Sequence, residues 1–160
     1  MKNALFIIIG ICWQLHGQEA HYVKNVNGEG VLISEGWMLG TQKIKYWKYY
    51  SSEGLLQSEG HYRENKRSDY WFFYHPSGKV KQEGRFLNGK MNGLWSYYSV
   101  KGELVKKCQY QLSRKDGYCV LYEGSEPIKA ERFEDGKRTG EWTNYLKFMA
   151  DNPQWLREKP

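Results

Sequence analysis

Residues 45–54 read KYWKYYSSEG, an aromatic block followed by a short polar stretch that ends in glycine. The same arrangement, a Trp followed three residues later by a Tyr, returns as YWFFY (70–74), LWSYY (94–98) and EWTNY (141–145). A further copy, YCVLY (118–122), has Cys119 in the Trp position. The steps between copies are 24, 24, 24 and 23 residues. A fixed period of this length indicates a repeat architecture.

The repeat divides the chain into three parts. A repeat domain is predicted over residues 21–145, with units starting near 36, 60, 84, 108 and 131. A half-unit at 21–35 precedes them, because HYVKNVNGEGVLISEG aligns with KYWKYYSSEGLLQSEG. Residues 146–160 do not continue the pattern, and we expect them to form a capping segment, with Leu146, Phe148, Met149, Trp155 and Leu156 as its apolar residues.

Each unit holds two strand-like runs, the aromatic block and a run after the glycine such as LLQSEGHY. The connection SSEG suits a four-residue hairpin turn, since Gly adopts positive φ at little cost. A longer polar loop such as LNGKMNG (87–93) is expected to lead into the next unit. The sequence therefore predicts an all-β fold, an antiparallel β-hairpin array forming an elongated meander of about ten strands.

Strand alternation separates an aromatic face from a polar face. We expect Tyr49 to lie opposite Leu56 and Trp71 to lie opposite Gly60. The predicted repeat core on the aromatic face consists of Trp47, Trp71, Trp95, Trp142, Tyr49, Phe73 and Tyr97. Two glycine columns are expected beneath the Trp rings, namely Gly36, Gly60, Gly84 and Gly93, Gly117, Gly140.

A column of tyrosines occupies the opposite face and provides the candidate binding residues. Its members are Tyr50, Tyr74, Tyr98, Tyr122 and Tyr145. Two interpretations stand side by side: a tyrosine ladder that stabilises the turn edge, and a contact surface for a partner.

Two of the three cysteines, Cys108 and Cys119, lie in the copy that lacks its Trp. The strand register places them opposite each other. In an exported protein such a pair favours a disulfide, here in place of the missing aromatic packing. The alternative is a pair of small buried thiols.

Residues 1–20 have the pattern of a signal peptide: one Lys, an apolar run from Ala4 to Trp13, then small and polar residues. The run is shorter than the ~20 residues that span a bilayer. The alternative is a buried N-terminal strand. We expect export to a periplasmic or extracellular location, with cleavage after Gly17 or Ala20.

The formal net charge of +6 fits either a contact with an acidic membrane or polysaccharide surface or a merely soluble surface. Export disfavours nucleic acid as the partner. The sequence leaves the oligomeric state open.

The G-x-W-x-x-Y core, the Gly turn and the NGK loop resemble the bacterial MORN-repeat variant family, which includes antitoxin-like proteins of the YwqK type. The resemblance covers residues 21 to about 145. It implies an elongated β-hairpin array that contacts proteins or lipids and has no catalytic residues. Cys119 and the shortened turn of the fourth copy depart from the family pattern, and a signal peptide fits poorly with a cytoplasmic antitoxin.

No catalytic constellation is apparent. The four His are scattered and Glu59 and Glu83 recur with the repeat, so we predict no enzyme activity, no metal site and no cofactor. The expected function is that of an exported scaffold that binds a protein or a cell-envelope component. The alternatives are antitoxin-like partner binding and an aromatic-cage ligand module, similar to choline-binding repeats, that uses cation–π attraction.

Overall fold

A computed structural model describes residues 19–153 as one antiparallel sheet with a short C-terminal helix. The strands pair in chain order, each with its sequence neighbours. This confirms the predicted all-β hairpin array, with eleven strands. The elements are β1 (Ala20–Val26), β2 (Leu32–Leu39), β3 (Gln42–Tyr50), β4 (Leu56–Arg63), β5 (Lys66–Tyr74), β6 (Val80–Leu87), β7 (Lys90–Tyr98), β8 (Leu104–Gln111), β9 (Arg114–Glu123), β10 (Glu126–Glu134), β11 (Lys137–Trp142) and α1 (Tyr145–Asp151).

Four-residue turns connect most strands at one rim of the sheet, as the sequence predicts. In the turn after β3, the hydroxyl oxygen of Ser51 accepts hydrogen bonds from the backbone N–H groups of Glu53 and Leu55, both at 3.2 Å. Gly54 closes the turn with φ +79°. A short polar residue followed three positions later by Gly therefore encodes the turn. The polar side chain accepts backbone hydrogen bonds, and the Gly adopts the positive φ.

Two-residue turns form the other rim, and here the predicted long loop is wrong. Leu87 ends β6, Asn88 and Gly89 make the whole turn, and Lys90 already begins β7. The φ angles of Asn88 and Gly89 are +50° and +80°. Positive φ at both positions is the type I′ geometry that matches the twist of a tight hairpin.

The rest of the predicted loop is a bulge inside the strand, where the Trp side chain donates a hydrogen bond to the backbone of the neighbouring strand. Gly60 pairs with Trp71 and His61 pairs with Ser68, so two residues of β5 have no partner on β4. The indole N–H of Trp71 donates to the carbonyl oxygen of His61 at 2.9 Å. Trp47 and Trp95 make the equivalent bonds to the carbonyls of Trp37 and Arg85. The repeat thus uses both the ring and the polar N–H of Trp.

The first predicted glycine column lies beneath these rings. A Cβ on Gly36, Gly60 or Gly84 would stand 2.3–2.6 Å from ring atoms of the paired Trp. In the second column the prediction fits Gly140, where a Cβ would stand 3.1 Å from a ring atom of Trp142, and is wrong for the other two glycines. Gly93 has no neighbour within 4 Å and instead supplies φ +76° at the bulge, while Gly117 faces the side chain of Gln109.

The two sides of the sheet are named here the Trp face, which carries Trp47, Trp71 and Trp95, and the Tyr face, which carries Tyr50, Tyr74 and Tyr98. Tyr49 pairs with Ser58, and Leu56 pairs with Tyr50. The expected pairing of Tyr49 with Leu56 is therefore wrong, because β4 bulges at Gln57.

Trp142 departs from the other predicted core tryptophans. It pairs with Ala130, Ala130 pairs with Val120, and Val120 pairs with Lys107 of the Tyr face. Trp142 therefore lies on the Tyr face, where it contacts α1 through Phe148 at a ring-centroid distance of 5.4 Å. The bulge before Trp142 leaves one residue, Thr139, without a partner, whereas the bulge before Trp71 leaves two. This one-residue difference places the last aromatic block on the other side of the sheet.

Helix α1 covers the Tyr face at the C-terminal end of the sheet. Asn144 caps its N-terminus, and Phe148 is fully buried in a cluster with Val120 and Ala130. Leu146 is 80% exposed, so it is not part of the cap. Within residues 19–153 no helix is long and apolar enough to span a membrane. Residues 1–18 of the predicted signal peptide, and Trp155 and Leu156 of the predicted cap, lie outside the described residues.

Cys108 and Cys119 are directly paired on β8 and β9, and their sulfur atoms are bonded. Both residues are fully buried. Cys108 occupies the column of Gly36, Gly60 and Gly84, and Cys119 occupies the Trp column. A Cβ fits at position 108 because no Trp ring lies over it from position 119. The disulfide therefore replaces one glycine–tryptophan pair of the repeat.

We expect neither of these cysteines to react with a thiol reagent when the non-reduced chain is unfolded in denaturant. After reduction both should react. The Cys108→Ala/Cys119→Ala variant, compared by urea unfolding, should lose about 2 to 4 kcal/mol of unfolding free energy, because the link constrains the unfolded chain. Two reactive thiols before reduction would contradict the assignment.

Candidate binding surface

The Trp face is filled by its own side chains. Trp47, Trp71 and Trp95 are 0–1% exposed. The side chain of Tyr49 stacks between Trp47 and Trp71, with centroid distances of 6.1 and 6.3 Å. The cations of Lys43 and Arg67 lie 4.5 and 4.6 Å from the centroids of the Trp47 and Trp71 rings. Aromatic burial and cation–π contacts thus stabilise this face from within the chain.

Hydroxyl groups on the Trp face come in matched pairs. The hydroxyl of Tyr49 donates to that of Tyr62 at 3.0 Å, and the hydroxyls of Tyr97 and Tyr110 lie 2.7 Å apart. In the unit between them, both positions are Phe, residues 73 and 86, and pack at 6.4 Å. The hydroxyls are present or absent together, so none is left without a partner in these three pairs. This matching indicates a structural role for the Trp face.

The central members of the tyrosine column form a ladder of hydrogen bonds. Tyr50 donates to Glu35 at 2.6 Å, Tyr74 to Glu59 at 2.5 Å and Tyr98 to Glu83 at 2.5 Å. Burial, and next the hydrogen bond to Glu83, raises the pKa of Tyr98 to about 12. The same causes raise the pKa of Tyr50 and Tyr74. These hydroxyls and carboxylates therefore stabilise contacts between strands.

Tyr122 and Tyr145 are placed differently, so the predicted five-residue column holds three members. Tyr122 has Lys107, not a Glu, in the corresponding position, and it packs against the cluster around Phe148. Tyr145 is the first residue of α1 and lies 5.6 Å from the ring of Phe148. Both belong to the helix-covered end of the sheet and not to an open tyrosine surface.

Alkaline pH should destabilise the ladder. Because the pKa of Tyr98 is higher in the folded protein than in the unfolded chain, its contribution is fully present below about pH 10 and is lost as pH rises towards 12. We expect unfolding free energy, measured in urea, to fall across this window. Replacing Glu83 by Gln should lower the tyrosine pKa in a spectrophotometric titration, and an unchanged titration would contradict the ladder.

The open part of the Tyr face carries a second set of aromatic side chains. Tyr70 is 40% exposed and lies 5.4 Å from the half-buried ring of Phe72. Tyr46 packs edge-on against His61 at 4.9 Å. Phe72 pairs with Glu59 on one side and with Glu83 on the other. An apolar residue thus lies between two carboxylates near the centre of the sheet.

Sequence reasoning missed this patch, although a signal existed. Tyr46 and Tyr70 precede Trp47 and Trp71, and the alternation that places the tryptophans on one face places these tyrosines on the other. From the sequence, Trp47, Tyr49 and Tyr50 are assigned to faces, and no assignment is made for Tyr46, Tyr70 or Phe72.

The helix-covered end shows what the Tyr face binds within its own chain. Val120 occupies the position of Phe72 and Ser96 in its strand, and it pairs with Lys107 on one side and with Ala130 on the other. Ala130 occupies the position that Glu35, Glu59, Glu83 and Lys107 hold in the preceding alternate strands. Replacing the carboxylate by a methyl group makes this site apolar, and Phe148 of α1 is buried on it. The face therefore accepts an apolar helix side chain where its columns become apolar.

The described residues, 19–153, include no group of three His, Cys, Asp or Glu that could hold a metal ion.

Comparison with known proteins gives similarity to solved structures alone. No family model and no curated protein matches the chain. S. aureus TarM in complex with fondaparinux, alpha-GlcNAc-glycerol and UDP has 11% identity and a TM-score of 0.48 over 70% of this chain and 22% of that one. Accessory secretory protein 1, 2 and 3 of Streptococcus pneumoniae has 11% identity and a TM-score of 0.40 over 88% and 25%. The Gap123 complex of Streptococcus agalactiae has 8% identity and a TM-score of 0.42 over 86% and 24%. This chain thus spans about a quarter of each matched chain.

Proposed function

We propose that the protein is a non-enzymatic scaffold that binds another protein on the open part of its Tyr face. The observation that carries the proposal is that one end of this face is covered by a helix and the rest is not. At the C-terminal end α1 buries Phe148 on Val120 and Ala130, whereas Tyr70 stays 40% exposed beside Phe72. Exposed aromatic side chains on a rigid sheet are typical of protein contacts.

The chemistry around Phe72 defines the partner. Its ring offers an apolar contact of the kind that Val120 gives to Phe148, and Glu59 and Glu83 flank it. Glu59 accepts the hydroxyl of Tyr74 and also interacts with that of Tyr46, and Glu83 accepts the hydroxyl of Tyr98. A carboxylate has about four acceptor sites, so both keep further acceptor capacity. The partner is an amphipathic helix whose apolar side chain meets Phe72 and Tyr70 and whose Lys or Arg side chains meet the two carboxylates.

The carboxylates of Glu35, Glu59 and Glu83 have structural partners, which supports a scaffold and not a catalyst. The arrangement of the Trp face does not favour the aromatic-cage alternative. The Trp rings it needs are shielded, and Lys43 and Arg67 already occupy the cation positions over Trp47 and Trp71.

We also propose export through residues 1–20 and membership of the MORN-repeat variant family. The 24-residue period and the single hairpin sheet support the family proposal.

Capture with paired variants tests the contact surface. The wild-type chain and the Tyr70→Ser/Phe72→Ser variant would be immobilised and exposed to cell-envelope extract, with captured proteins quantified by mass spectrometry. We expect the variant to lose at least about tenfold of the specifically captured partner, since buried aromatic anchors contribute most of the binding energy.

A matched control removes two exposed apolar side chains elsewhere. Val100 and Leu112 lie in turns and are 66% and 55% exposed. The Val100→Ser/Leu112→Ser variant should capture the partner as wild type does, and circular dichroism should show that all three proteins are folded under the capture conditions. Equal capture by the Tyr70→Ser/Phe72→Ser variant would rule out the Tyr face as the contact surface.

A further inference from the structure

The two rims of the sheet carry opposite charge. The two-residue turns and the two residues on either side of each hold nine basic and three acidic residues, whereas the opposite rim, counted in the same way, holds three basic and five acidic residues. The positive surplus of the chain is therefore concentrated along one edge. The nine basic residues are Lys43, Arg63, Lys66, Arg67, Lys90, Arg114, Lys115, Lys137 and Arg138.

Four of these cations form a regular row. Lys66, Lys90, Arg114 and Lys137 are the first residues of β5, β7, β9 and β11, and all are exposed. Equivalent strands are two strand spacings apart, so neighbouring cations of the row are separated by about 10 Å along the rim and the row extends about 30 Å. A second row, which includes Lys43, Arg67 and Lys115, lies one residue further along on the Trp face, over aromatic rings.

The charges of this rim are incompletely neutralised within the chain. Arg63 and Lys66 are direct cross-strand partners, an arrangement of like charges that destabilises a sheet. Arg114 forms an ion pair with Asp135, but both side chains are mostly exposed, and such pairs contribute little. Glu134 pairs with Lys137, and Glu64 lies in the turn before Lys66. An external anion would relieve the repulsion that remains.

We propose that this basic rim binds a linear polymer that carries phosphate groups. Lys predominates in the exposed row, and its ammonium acts as a point charge that suits phosphate oxygens on a flexible chain. A one-dimensional row fits a linear polyanion laid across the strands. A flat anionic membrane fits less well, because the turn residues Glu64 and Asp135 would meet it before the cations do.

Binding of the full chain to long-chain inorganic polyphosphate, measured by titration calorimetry at several NaCl concentrations, tests the proposal. The Lys66→Gln/Lys90→Gln/Lys137→Gln variant should bind at least about tenfold more weakly. The slope of log affinity against log salt should fall by about two, since three fewer cations release counterions. The control Lys48→Gln/Lys81→Gln/Lys107→Gln removes the same charge from positions away from this rim and should retain most of the affinity.

Three results would overturn the proposal. The first is equal loss of affinity in the rim variant and the control, which would indicate a net-charge effect. The second is binding to phosphatidylserine vesicles without binding to polyphosphate, which would make the rim a membrane contact. The third is a rim variant with unchanged polyphosphate affinity but altered sedimentation, which would assign the rim to contact with the acidic rim of a second copy.

Discussion

Replacing Trp71 by Ala should lower the unfolding free energy by about 3 to 5 kcal/mol, the largest single-residue effect that we expect. The ring is fully buried between Tyr49 and Phe73 and over Gly60, so its removal leaves a cavity in the aromatic ladder. Urea unfolding followed by circular dichroism measures the change. The neighbouring Phe72→Ala variant is the matched control. Phe72 lies on the Tyr face and is half-buried, and we expect a loss of about 1 kcal/mol.

The Trp71→Phe variant separates the ring from its N–H group. Phe keeps most of the packing but leaves the carbonyl oxygen of His61 without the indole donor at the bulge. An unpaired polar group of this kind costs about 1 to 3 kcal/mol. If Trp71→Phe were as stable as wild type, the indole N–H would have no role in closing the bulge. If Trp71→Ala lowered the unfolding free energy by less than about 1 kcal/mol, the packed aromatic rings of the Trp face would not be the core.

Replacing Gly84 by Ala should destabilise the protein by about 1 to 3 kcal/mol or more, although only a methyl group is added. The new Cβ would lie 2.4 Å from a ring atom of the fully buried Trp95, and a ring fixed by its neighbours on the ladder cannot move away without strain. Thermal or urea unfolding measures the loss.

Gly28→Ala is the control for this substitution. A Cβ at Gly28 meets nothing within 4 Å, and its backbone does not require positive φ. We expect its stability to stay within about 0.5 kcal/mol of wild type. Equal effects at the two positions would show that loss of glycine flexibility, and not contact with Trp95, determines the cost.

The period of the sequence predicts most of this fold because every unit repeats the same residue types at its turns and strands. The four-residue turns, the alternation of faces and the glycines beneath the rings follow from residue types whose conformational needs are strict. Trp71 over Gly60 is the best example, since only glycine fits under a ring packed directly on a strand.

The errors arise where one residue is added or removed. The bulge at Gln57 changes the partner of Tyr49, and the bulge before Trp71 turns a predicted loop into strand. The bulge before Trp142 is one residue shorter than the bulge before Trp71, and this places Trp142 on the Tyr face, which α1 covers there. A one-residue change inverts the side-chain pattern of a strand, and spacing alone does not reveal where the extra residue lies.

The contact surface that we propose lies on the face that the predicted tyrosine column occupies, but it uses other residues of that face. Tyr50, Tyr74 and Tyr98 donate their hydroxyls to glutamates and so form a hydrogen-bonded ladder between strands. The sequence alone does not indicate that Tyr70 and Phe72 are accessible, because their exposure depends on the absence of a helix above them. Only the position of α1 along the sheet distinguishes the covered half of the Tyr face from the open half.

Photocrosslinking tests most directly the claim that the Trp face is core and the Tyr face is the contact surface. A photoreactive phenylalanine analogue would replace Tyr70 on the Tyr face in one protein and Tyr49 on the Trp face in another, and each would be irradiated in cell-envelope extract. We predict a discrete adduct with one partner protein from position 70 and no partner adduct from position 49. An adduct from position 49 without one from position 70 would contradict the account.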